Sequence, residues 1–252
     1  MLSHYQKQRQ SQVRTQRKPG AAPIASIHTP EWIADHWPDE VKNMYVITIR
    51  EERFKRFLER AGPLAKYVLK MEGMNGEQID VNEWKTAGKY KPVDEHNEMR
   101  RGQIGCFESH RWVWQNLLDS EAKHALIMED DANLVPTTEI YNAITAALRD
   151  IETHNLAWDV LYVARNPALA KIAGTTPSKL LVKPGLTWGL HGYVINRRAA
   201  EMLLKYSKCM QVQVDVYVSN MLSSGKVLRG LAIEPIVFHQ VAQSKSDTLG
   251  IV

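Results

Sequence analysis

Cysteine is scarce in this sequence: Cys106 and Cys209 are the whole complement. Two thiols make neither a disulfide framework nor a cysteine-built zinc cluster, so reduced core thiols are the expectation, with a single Cys106–Cys209 bridge as the alternative. Long apolar runs are missing too. No stretch approaches the length of a membrane span and no hydrophobic signal sequence opens the chain, so the expectation is a cytoplasmic protein, at most peripheral to a membrane. Between Ile49 and Phe54 there is no glycine-rich loop, which removes a dinucleotide fingerprint and a P-loop. Acids are absent from residues 1–30, which hold Lys7, Arg9, Arg14, Arg17 and Lys18. Without those five cations the formal charge falls from +4 to −1. The basic character belongs to the tail, and no nucleic-acid groove is expected on the body.

What is present suits one large α/β domain: 252 residues, 44% of them hydrophobic and 24% charged. Residues 1–40 read as a basic flexible N-terminal arm, one that a neighbouring subunit of a homo-oligomer would order, with Trp32, Ile33 and Trp37 anchoring its end to the body. A transit peptide is the other reading of that start, although its apolar face is thin. Residues 41–252 read as a single domain.

Met44-Tyr45-Val46-Ile47-Thr48-Ile49 has the composition of a first strand. Residues 51–61 then carry Phe54, Phe57 and Leu58 at helical spacing until Gly62-Pro63 stops them. A second strand over residues 67–71 completes a right-handed βαβ unit. Residues 82–98 read as loop, 104–118 as a helix, 139–151 as another, and 158–163 as a strand. Residues 164–189, rich in Gly, Pro, Thr and Lys, read as a weakly structured insert of the kind that forms a lid. Asn196 caps a helix reaching residue 206, residues 215–222 form another, and 227–236 a late strand followed by His239.

One stretch stands apart. In His124-Ala125-Leu126-Ile127-Met128-Glu129-Asp130-Asp131, an apolar run passes directly into three carboxylates. The run reads as a strand buried on both faces of a parallel sheet. Ligands in such sheets sit beyond the strands' carboxyl ends, where these acids fall. Clustered acids repel one another unless a hard divalent cation such as Mn²⁺ or Mg²⁺ neutralises them. A solvated acidic turn with a helix cap is the alternative. By strand alternation, Glu129 and Asp131 share one face and Asp130 takes the other.

Six pieces together resemble glycosyltransferase family 25, which includes lipooligosaccharide and collagen galactosyltransferases. The most specific is Gly102-Gln103-Ile104-Gly105-Cys106-Phe107-Glu108-Ser109-His110-Arg111, followed at family spacing by the Glu129-Asp130-Asp131 strand end. The first strand with Arg53, the Gly73-Met74-Asn75-Gly76 turn, His191-Gly192-Tyr193-Val194-Ile195-Asn196-Arg197-Arg198-Ala199-Ala200, and Val214-Asp215 match the other pieces. Gln103, Asn75, Gln213 and Leu190 depart from the family pattern.

The resemblance implies a GT-A-type, Rossmann-like α/β/α sandwich with a mostly parallel central sheet. It also implies inverting transfer of a hexose, galactose first, from a UDP-sugar to a glycan or glycoprotein hydroxyl with Mn²⁺ or Mg²⁺, as in glycosylation or lipopolysaccharide biosynthesis. Under it, Asp131 binds the metal with Glu129 and His239, while Arg53, Ser109, His110, Glu129, Asp130 and Tyr193 line the donor site. Asp215 is the base that takes the acceptor's proton, with His191 as the next candidate. Trp188, His191 and Tyr193 form an aromatic edge for a sugar. Competing readings are a catalytically silent glycan-binding or scaffold member of the same fold, and a nucleotidyltransferase.

Overall fold

The computed structural model describes residues 27–94, 97–166, 170–223 and 225–241. Residues 1–26, most of the expected arm and of any subunit contact it makes, lie outside these. The first described element is the helix α1 (Pro30–Asp35), started by Thr29, whose side chain accepts from the Trp32 amide. Ile33 and Trp37 are buried in the main core, as an anchor would be.

β1 (Met44–Thr48), α2 (Glu51–Ala61) and β2 (Val68–Glu72) form the expected βαβ unit with parallel strands. Next come a short helix α3 (Val81–Thr86), the long α4 (Arg101–Asp119) and β3 (His124–Glu129). α5 (Thr138–Thr153) leads to β4 (Val160–Ala164). β5 (Ala170–Thr175), β6 (Leu181–Thr187) and β7 (Gly192–Asn196) follow. The chain closes through α6 (Arg197–Tyr206), α7 (Val214–Ser223) and β8 (Gly230–Ile233).

The strands form one sheet in the order β2-β1-β3-β7-β4-β8-β6-β5. Six run the same way; β7 and β6 run against them. Alternation along the central strands divides their side chains between two cores. Val46, Leu126, Met128 and Leu161 meet Ile33, Phe57 and Ile144 on one face. Tyr45, Ala125, Ile127 and Tyr162 meet Phe107, Trp114 and Leu203 on the other. The result is the expected α/β/α sandwich.

Three expectations need correction. The segment 164–189 is not a loose insert, because β5 and β6 pair antiparallel as a hairpin and β6 pairs with β8. Its register shifts near Pro184, which cannot donate to a ladder, and this hides the strand's alternation. The expected loop 82–98 begins with α3, held by Asp80, whose carboxylate accepts from the Asn82 and Glu83 amides. The late strand is only four residues long, because Pro235 follows Glu234 at once.

Candidate active site

β3 and β1 are parallel, so their carboxyl ends meet at one rim of the sheet. The pleat that turns Ala125 and Ile127 toward α4 carries Glu129 the same way, and the pleat of Leu126 and Met128 carries Asp130 toward α2. Asp130 is thereby committed. Its Oδ2 accepts from the Thr48 hydroxyl at 2.6 Å, and its Oδ1 pairs with Arg53 Nη2 at 2.8 Å. The same guanidinium nitrogen lies 3.3 Å from Asp131 Oδ2, which also accepts from the Gln240 side-chain amide. Arg60 donates to the carbonyls of Asp130 at 2.9 Å and Ala132 at 3.3 Å. Two arginines two turns apart on one face of α2 therefore fix the acidic turn, one by its carboxylates and one by its backbone.

Because β7 is antiparallel to β3, Gly192 lies opposite Met128, and the residue before it, His191, reaches the rim that holds the acids. One ligand atom each from Glu129, Asp131 and His191 lie within 4.8 Å of one another. His191 is buried, and its Nδ1 has no hydrogen-bond partner. Burial pushes the Glu129 carboxyl well above the usual carboxylate range. The Asp131 and Asp130 charges push it further, and His191 opposes them. Two carboxylates and an imidazole in this arrangement fit a hard divalent cation, whose charge would relieve that repulsion.

On the α4 side, Cys106 and His110 stand one turn apart and face the same carboxylate. Cys106 Sγ, a His110 nitrogen and a Glu129 oxygen also lie within 4.8 Å of one another. Trp114 Nε1, a donor only, donates to the Tyr193 hydroxyl at 3.0 Å, and that hydroxyl is 2.8 Å from His110 Nδ1. The neutral imidazole is thus held through Nδ1, while its Nε2 lies 3.8 Å from Glu129 Oε1. Burial lowers the His110 pKa to about 3, which keeps the ring neutral. Burial also pushes the Cys106 thiol well above its usual value, with Glu129, Asp215 and Asp131 adding to the shift.

Asp215 sits in the first turn of α7. Its Oδ2 accepts from the Gly189 amide at 3.0 Å and its Oδ1 from the Val216 amide at 2.8 Å. Its charge acts on Glu129, His110 and Cys106, so it belongs to the same electrostatic neighbourhood. Gly189 links it to His191. The glycine has φ +83°, and a Cβ there would come within 2.5 Å of His191 Nε2.

Two of the motif glycines, Gly105 and Gly76, have a packing reason. A Cβ on Gly105 would lie 2.5 Å from the Met74 carbonyl, and one on Gly76 would lie 2.5 Å from the Gly102 amide. The turn after β2 therefore rests directly on α4. Ser109 completes the seam, donating to the Gly105 carbonyl at 2.7 Å and accepting from the Met74 amide at 2.8 Å. Gln103 accepts from the Arg100 amide at 2.8 Å, and Asn75 from the Glu77 amide at 3.0 Å. Each does the capping that an acid would do, so these two departures from the family pattern leave the local structure intact.

Of the residues singled out in the sequence, the fold brings Glu129, Asp131, His191, His110 and Asp215 together, with Arg53 and Asp130 beside them. Three others stand differently. Tyr193 is fully buried, with its hydroxyl occupied by His110 and Trp114, so its ring offers no face to a sugar, whereas Trp188 is 37% exposed. Ser109 is held by backbone on both sides. His239 is exposed and joins neither group of converging ligand atoms among the described residues; its carbonyl accepts from the Asn133 amide. Both cysteines are free. Sequence reasoning missed Gln240 and Gly189, which carry no motif of their own. It also passed over Cys106 as a ligand, although the spacing from Cys106 to His110 was there to read.

The glycosyltransferase family 25 model, described as an LPS biosynthesis protein, matches residues 41–218. Procollagen galactosyltransferase 1 of Danio rerio is 24% identical over 162 residues, covering 62% of this chain and 26% of the relative. Procollagen galactosyltransferase 1-A of Xenopus laevis is 30% identical over 166 residues, with the same two coverages. A Bos taurus relative, 23% identical over 176 residues and covering 66% of this chain and 28% of itself, is named probable inactive glycosyltransferase 25 family member 3. The chain thus spans about a quarter to a third of the length of the curated relatives it matches. With most of its length matched by the family model and the motif residues packed against one rim of the sheet, the chain belongs to glycosyltransferase family 25.

Proposed function

We propose that this chain is a cation-dependent glycosyltransferase that moves a hexose, galactose first among the candidates, from a UDP-sugar to a hydroxyl of a glycan or glycoprotein. The observation that carries this reading is the convergence of Glu129, Asp131 and His191 at the carboxyl ends of β1 and β3, with the charge of Asp215 acting on Glu129. Those three residues would hold Mn²⁺ or Mg²⁺, which when bound supplies Lewis-acid stabilisation of the charge that develops on the diphosphate.

The chain's own residues do the rest. Arg53 and Gln240 hold the Asp131 carboxylate in place, and Thr48 with Arg53 holds Asp130 out of the ligand group. Asp215 is the base. Two backbone amides fix its orientation, and each oxygen keeps a second lone pair for the acceptor's proton. The acceptor oxygen forms its bond to the anomeric carbon as the bond from that carbon to the diphosphate breaks, and the hydroxyl proton passes to Asp215. This displacement inverts the anomeric centre. His191 is the alternative base, and Trp188 the aromatic face for a sugar. The matched names support galactose: two of the relatives above are named galactosyltransferases.

A donor screen tests the proposal. UDP-Gal, UDP-Glc and UDP-GlcNAc are incubated with the full chain, and UDP release is followed with Mn²⁺ and with EDTA. The expected result is release from one donor, lost in EDTA and lost in Asp131→Asn, whose melting temperature stays near that of the parent. Undiminished turnover in EDTA, or in Asp131→Asn, overturns the cation assignment.

A further inference from the structure

Glu129 belongs to two groups of converging ligand atoms, and only one of them suits a hard cation. The second is made of Cys106, His110 and Glu129, with a sulfur, a nitrogen and an oxygen donor within 4.8 Å of one another. Three features mark it as more than a chance cluster. Cys106 and His110 are four residues apart on the 19-residue helix α4, so a rigid element sets their spacing. His110 is fully buried, and its Nε2 faces Glu129 Oε1 at 3.8 Å without a hydrogen-bond partner. On the other side of the ring, the Tyr193 hydroxyl fixes the imidazole through Nδ1, the outer-shell contact that metal-bound histidines have.

We propose that Cys106, His110 and Glu129 form a second binding site, for a borderline-soft divalent cation of the Zn²⁺ type, that shares Glu129 with the oxygen-rich group of Glu129, Asp131 and His191. Thiolate and imidazole favour Zn²⁺ or Co²⁺ over Mn²⁺ and Mg²⁺. Three protein ligands leave the fourth tetrahedral position for water. Entry is open, since the Glu129 side chain keeps 27% of its surface exposed and Cys106 is half-buried. The proton balance is simple. The cation displaces the Cys106 thiol proton to solvent, and the neutral His110 ring binds through Nε2 in the tautomer that keeps its proton on Nδ1. There the Tyr193 oxygen, already accepting from Trp114, accepts a second bond. The proposal concerns binding alone and does not depend on the transfer reaction.

The test titrates the reduced, metal-free full chain with Co²⁺. A thiolate-to-cobalt charge-transfer band should appear at one equivalent and vanish when Zn²⁺ is added. Cys106→Ser should abolish the band and weaken Zn²⁺ binding about 100-fold or more, since even outer-shell losses cost 10- to 100-fold. Cys209→Ser should change neither. Should Cys106→Ser fold poorly, the wild-type chain gives an independent answer. Stoichiometric Zn²⁺ should shield Cys106, and not Cys209, from iodoacetamide, as read by peptide mass spectrometry. Absence of the band in the wild-type chain, its persistence in Cys106→Ser, or equal alkylation of Cys106 with and without Zn²⁺ overturns the site. Mn²⁺-dependent UDP binding in Cys106→Ser is measured in parallel. Its loss in the wild-type chain as well would refute the transfer reading and leave this one standing.

Discussion

Replacing Tyr193 with phenylalanine separates two views of that residue. A sugar platform needs its ring, which phenylalanine retains. A buried hub needs its oxygen, which is the partner of both Trp114 Nε1 and His110 Nδ1 in a region closed to solvent. Tyr193→Phe removes that oxygen and orphans two buried polar atoms at about 1–3 kcal/mol each, so the loss should be roughly 2–6 kcal/mol. In a domain of this size the melting temperature should fall by roughly 4–24 °C. Urea unfolding at neutral pH, with the slope unchanged and the midpoint lowered, is the measurement. Donor affinity per folded molecule should hold. A destabilisation below about 1 kcal/mol would falsify the hub, because an orphaned buried indole alone costs that much. Unchanged stability with weakened sugar binding would restore the platform.

Three further outcomes are expected. Asp215→Asn should keep UDP-sugar affinity while the transfer rate falls about 10²- to 10⁴-fold; normal transfer removes Asp215 from the active site, and collapsed affinity makes it a donor contact. Gly105→Ala should cost about 1–3 kcal/mol, because the added methyl meets the Met74 carbonyl and the turn must lift from α4; a neutral substitution in thermal unfolding would show that the seam is loose. His110, whose folded value lies near 3 against the ordinary 6.5, contributes stability that is full above pH 6.5 and lost as pH falls toward 3. Its ring nitrogens should therefore report a neutral imidazole by NMR down to acid unfolding, and protonation near pH 6 would contradict its burial.

The sequence made β1, α2, β3, α4 and the acidic turn legible, because each carries a strong local signal: a continuous apolar run, a 3.6-residue stripe, a Gly-Pro stop or clustered charge. β7 was not assigned as a strand, since its apolar core is only Tyr193, Val194 and Ile195 between a glycine and a helix-capping asparagine. Its place between β3 and β4 is decided by tertiary pairing. The β5–β6 hairpin was unreadable for a different reason. It lies at the sheet margin, where Lys171, Ile172 and Lys183 face outward or partly so and periodicity weakens. Among site residues, the acids and His191 announced themselves by chemistry and motif. Gln240 did not, because it reaches Asp131 only through the return of residues 238–241 along the rim, where Ala132 pairs with Gln240. Tyr193 misled because burial, which decides between stacking and bracing, is invisible in a lone aromatic.

The antiparallel β7 has a consequence in time. As the chain leaves a ribosome, β1, β2 and β3 can pair at once, but the inner edge of β3 is covered only when residues 192–196 arrive, more than sixty positions later. Until then Ala125, Leu126, Ile127 and Met128 present an apolar, unpaired strand edge, the kind of surface that templates aggregation. β4 is also stranded during that interval, since its neighbours β7 and β8 both follow it. Arrival of β7 bridges β3 to β4 and sets His191 beside the acids, and β8 later attaches the β5–β6 hairpin. Fragments ending before residue 192 should therefore remain insoluble or chaperone-bound, whereas those that include β7 and the elements after it should become protease-resistant together.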